Sequence, residues 1–120
     1  MTEFEQTYNR NWTAPVEVLN LCECHALILD CAKAERVMWQ EIRCIKKFRK
    51  AAYAQYAVQA LRLIGLQDVQ PTSFGNASAL HSELSIKEIR KRLSTTIFTG
   101  VKCHVRTRKD RVVCSIGWIK

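Results

Sequence analysis

The chain has 120 residues, is 48% hydrophobic and carries a formal net charge of +8. That is enough apolar material for one core, and it excludes a disordered chain. No run reaches the roughly 18–20 apolar residues of a membrane span, and the start, with Glu3 and Glu5, lacks the basic-then-apolar pattern of a secretory signal. The expectation is a single domain over residues 1–120, cytoplasmic, with no membrane contact. In that compartment the six cysteines read as free thiols or metal ligands rather than disulfides.

Residues 1–13 read as an arm with Phe4, Tyr8 and Trp12 at four-residue steps. Thr13, Ala14 and Pro15 then form a helix-start signal, a capping hydroxyl followed by proline in the first turn. Residues 14–65 read as helical. There is no Gly or Pro between Pro15 and Gly65, apolar side chains recur at helical spacing, and Gly65 stands at a C-cap. One unbroken helix of that length would run about 75 Å, against a radius of gyration of roughly 13–14 Å for a compact domain. Two antiparallel helices or an elongated homodimer resolve this. A break near residues 30–34, with Asp30 capping a second helix, is the expected form.

Residues 66–84 hold Pro71, Gly75, Asn76 and several serines, and read as a loop with a helical turn over 77–83. Ser85 and Glu88 have the spacing of a capping box, with Leu84 and Ile89 as its staple. A helix from Ile86 to about Leu93 follows. After Gly100 the period becomes two: Val101, Cys103 and Val105 alternate with Lys102, His104 and Arg106. Arg108, Lys109 and Asp110 make a turn. Residues 111–119 return with Val112, Cys114, Ile116 and Trp118 on one face. The predicted fold class is α+β: an N-terminal helical hairpin (or one long helix in a dimer), a short capped basic helix and a C-terminal antiparallel β-hairpin.

The charge is segregated on this frame. Residues 85–120 hold ten Lys/Arg and two acids, whereas residues 1–84 hold nine of each. The basic residues of the C-terminal part fall on folded elements: Lys87, Arg90 and Lys91 on one helical face, Lys102, His104, Arg106 and Arg108 on one strand face, then Lys109 and Arg111. Arg43, Lys46, Lys47 and Lys50 share a second helical face. Such a field attracts nucleic acid or an acidic protein surface. A basic helix followed by a basic hairpin resembles winged-helix modules in element order, although residues 66–84 supply a loop where those modules have a helix.

Other chemistry finds little support. Cys22, Glu23 and Cys24 are not a zinc knuckle, because helical geometry splays neighbouring side chains, and the remaining cysteines read as core thiols. Cys103 and His104, adjacent on a strand, point to opposite faces and cannot act as nucleophile and base. The aromatic residues are scattered outside the basic patch, which favours backbone contact over base stacking. The expectation is a small non-enzymatic nucleic-acid-binding protein, regulatory or accessory. The alternative is an inhibitor or adaptor that docks its basic face on an acidic surface or a nucleic-acid-handling complex. No catalytic residue, metal or cofactor is assigned.

Overall fold

The computed structural model describes residues 16–72, 75–81 and 83–118, Trp118 by its backbone alone. The expected arm, the Thr13–Pro15 helix start and the inward placement of Trp118 lie outside the described residues. Val16–Val18 forms a 3-10 turn, and the first helix, α1, spans Leu21–Val37. Its start is fixed by Asn20, not by a proline. The Asn20 side chain accepts from the Glu23 amide at 2.8 Å, and the Asn20 amide donates to the Glu23 carboxylate at 3.0 Å. This reciprocal capping box satisfies two of the donors a helix start leaves free.

The helical segment does fold into a hairpin, but it breaks later than expected. α1 runs through Asp30, which is exposed, because Cys24, Leu27, Ile28 and Cys31 form one uninterrupted buried face. Met38 leaves helical geometry (φ −112°, ψ 50°), and Trp39–Glu41 forms a second 3-10 turn. α2 then spans Ile42–Leu63. Glu35 and Arg49, paired at 2.6 Å, tie the two helices together near the turn. α2 ends as its glycine predicts. Gly65 takes φ +94°, its amide donates to Arg62 O, and Leu66 N donates to Leu61 O, the two bonds of a Schellman cap.

Residues 66–84 are not a loop with a helical turn. They contain β1 (Gln70–Pro71) and β2 (Ala77–Leu80). The third helix, α3, covers Ile86–Thr96, and β3 (Val101–Arg108) and β4 (Arg111–Trp118) form the expected hairpin. The four strands make one antiparallel sheet in the order β1-β2-β4-β3. The winged-helix likeness therefore stops at element order, since strands occupy the place of the helix before α3.

Alternation sets the two faces of the sheet. Ala77, Ala79, Val101, Val105, Val112, Cys114 and Ile116 join one core cluster with α2's Tyr56 and Leu61 and α3's Ile89 and Leu93. Ser78 and Val113, of opposite parity, stand outside that cluster. α2 and α3 thus cover one face, and α1 packs along α2. Tyr56, fully buried, accepts from the Phe98 amide at 2.9 Å and fixes the α3–β3 connection to α2.

Candidate nucleic-acid interface

The second face of the sheet carries the basic row. β3 sits at the sheet edge, and its register places Lys102 opposite Gly117, His104 opposite Ser115, Arg106 opposite Val113 and Arg108 opposite Arg111. All four of these β3 side chains, and Lys109 beyond them, are exposed. None of them joins an ion pair among the described residues. The turn is a tight two-residue one, and Lys109 adopts φ 57°, a left-handed conformation that favours glycine or asparagine.

Two predicted site residues also carry structural bonds. Arg111 donates from Nη1 to the Asp68 carboxylate at 2.8 Å, from Nη2 to Asp68 O at 2.6 Å and from Nε to Ser78 Oγ at 3.0 Å. These hydrogen bonds from Arg111, then that from Gln70, hold the Asp68 carboxyl below its ordinary value. Arg90 donates from Nη2 to Val105 O at 3.2 Å. That bond joins the basic face of α3 to the edge strand: Lys87 and Lys91, both exposed, flank Arg90 in sequence, while His104 and Arg106 flank Val105. The bond ties α3 to the edge strand, while the exposed β3 side chains belong to the sheet face that α3 does not cover.

The α2 stripe is placed apart. Arg43, Lys46, Lys47 and Lys50 are exposed on α2, which lies against the opposite face of the sheet. Only its last member nears the sheet rim, where a Cβ on Gly75 (φ +77°) would stand 2.9 Å from Lys50 Cγ. The sheet separates this stripe from the β3 row. Periodicity had no means of revealing that separation, because it reads each element alone.

A recess of about 330 Å³ opens beside the hairpin turn, lined by Thr72, Ser78, Val113 and residues 108–111. Its charged lining is three cations, Arg108, Lys109 and Arg111, against the single carboxylate of Asp110. The hydroxyl of Thr72 is buried there without a hydrogen-bond partner. Among the described residues no group of three or more His, Cys, Asp or Glu side chains is placed to hold a metal. No protein-family model, curated protein or solved structure matches the chain.

Two arginines outside the predicted site, Arg92 and Arg49, serve the fold, a role the sequence did not disclose. Arg92 donates to Ile64 O at 3.3 Å, satisfying a carbonyl at the end of α2, and pairs with Glu88. Arg49 pairs with Glu35 and stands 6.0 Å from the ring centre of Tyr53.

Proposed function

We propose that this protein binds nucleic acid through the basic side chains of α3, β3 and the β3–β4 turn, without catalysing a reaction. The observation that carries this reading is the Arg90–Val105 bond. It ties the helix that carries Lys87 and Lys91 to the edge strand that carries Lys102, His104, Arg106 and Arg108, with Lys109 at the turn beyond. A surface of unpaired cations on rigid elements neutralises successive phosphates and releases their counterions. Lys109 adds to the argument, because a strained lysine at the turn tip presents a cation where glycine would fold more easily.

Lysine and arginine on an edge strand also discourage strand-to-strand association. That role needs no partner, and it does not require the α3 cations to lie beside the strand. Phosphate contact uses both elements, so the two roles separate experimentally. The triple substitution Lys102→Glu, Arg106→Glu, Arg108→Glu, assayed by mobility shift with random-sequence DNA and RNA, should abolish binding while the chain stays folded. Unchanged binding would refute the assignment. If the wild-type chain binds neither DNA nor RNA, docking on an acidic protein surface becomes the reading of the same residues.

A further inference from the structure

Cys103 on β3 and Cys114 on β4 are free thiols with Sγ atoms 3.0 Å apart. Register pairs Cys103 with Ile116 and Cys114 with Val105, so the two thiols are diagonal neighbours on the core side of the hairpin. Diagonal neighbours are ordinarily farther apart than directly opposed residues, and sheet twist draws one diagonal closer. A thiol–thiol contact this short leaves a small further approach to a covalent bond.

The two members are unequal. Cys114 is wholly buried, whereas Cys103 is half-buried on the edge strand and can be reached from solvent. The hydrogen bond from the Cys114 thiol stabilises a Cys103 thiolate and lowers its pKa against the opposing effect of burial. The same bond, then burial, pushes the Cys114 thiol up. By contrast Cys24 and Cys31 are wholly buried, and burial pushes each up to about 12. The hairpin pair thus has the asymmetry of an attacking and a resolving thiol.

We propose that Cys103 and Cys114 are a reversible redox pair that closes to a cross-strand disulfide when a low-molecular-weight disulfide oxidises them. The Cys103 thiolate attacks one sulfur of the oxidant. The oxidant's S–S bond breaks, its first half leaves as a thiolate, and a mixed disulfide forms on Cys103. Cys114 loses its proton to that thiolate and attacks the Cys103 sulfur. The second half of the oxidant then leaves and takes the proton that Cys103 gave up. Two protein thiols are oxidised to one disulfide, and one oxidant disulfide is reduced to two thiols. The closed bond lies across the hairpin that carries Arg106, Arg108 and Lys109, and it removes freedom from the unfolded chain over residues 103–114.

The test treats the full chain with oxidised glutathione, quenches in acid, alkylates free thiols and digests with trypsin without reduction. Cleavage after Lys102, Arg106 and Arg111 should yield fragment 103–106 covalently joined to fragment 112–120 as the main product at these positions. Reduction should separate the two. The oxidised chain should melt several degrees higher than the reduced one. A glutathione adduct that persists on Cys103 while Cys114 stays alkylatable would overturn the proposal, as would no reaction at Cys103. A Cys114→Ala chain should retain the adduct on Cys103. The wild-type digest decides the matter even if that variant does not fold.

Discussion

Arg111 and Arg106 are both basic side chains of the same hairpin, yet they do different work. Arg111 spends all three guanidinium nitrogens on Asp68 and Ser78, clamping β4 to the segment before β1. Arg106 is exposed and joins no ion pair among the described residues. Arg111→Ala should therefore lower the melting temperature, whereas Arg106→Ala should leave it unchanged and weaken nucleic-acid binding; thermal melts and a binding titration on each variant check this. The clamp has a pH signature. A carboxyl held below its ordinary value of 3.8 contributes stability above that value and loses it as pH falls through the folded-state pKa. The wild-type chain should lose stability through that acid window more steeply than Asp68→Asn, in melts taken across it. Lys109 offers a second contrast. Lys109→Gly relieves a left-handed lysine, so stability should hold or rise by up to about 1 kcal/mol while affinity falls.

At the scale of elements, the helix starts differ in strength. Asn20 and Glu23 bond reciprocally, whereas Ser85 only accepts from Glu88 N at 3.1 Å, and the Glu88 side chain pairs with Arg92. The box expected at Ser85 is half-formed, because an arginine one turn on offers its carboxylate a charged partner. Asn20→Ala should cost more than Ser85→Ala, each about 1 kcal/mol in denaturant unfolding. Local signals served well where one element contains the whole cause. The alternation of residues 101–116, the Ser85 start of α3 and the Gly65 cap are of that kind. They failed where a distant partner decides. Ala77–Leu80 reads as helical by composition, but β4 supplies a strand to pair with, and tertiary pairing overrides the propensity. The turn at Met38 has no Gly or Pro, and the antiparallel packing of α1 on α2 sets its place. The basic residues of the site were legible by type and spacing. Which of them were already occupied was not, since Asp68 lies 43 residues from Arg111 and Val105 lies 15 from Arg90.

For the whole molecule, charge and architecture agree. The excess charge lies on α3 and the hairpin, joined at the sheet edge, while the neutral first part supplies α1 and α2. Phosphate neutralisation by these cations, as proposed, is tested by the affinity for random-sequence duplex as salt is raised. Log affinity should fall linearly with log salt, with a slope near −0.9 per phosphate neutralised, about one unit being lost with each contacting cation removed. Binding whose affinity does not change with salt would contradict it.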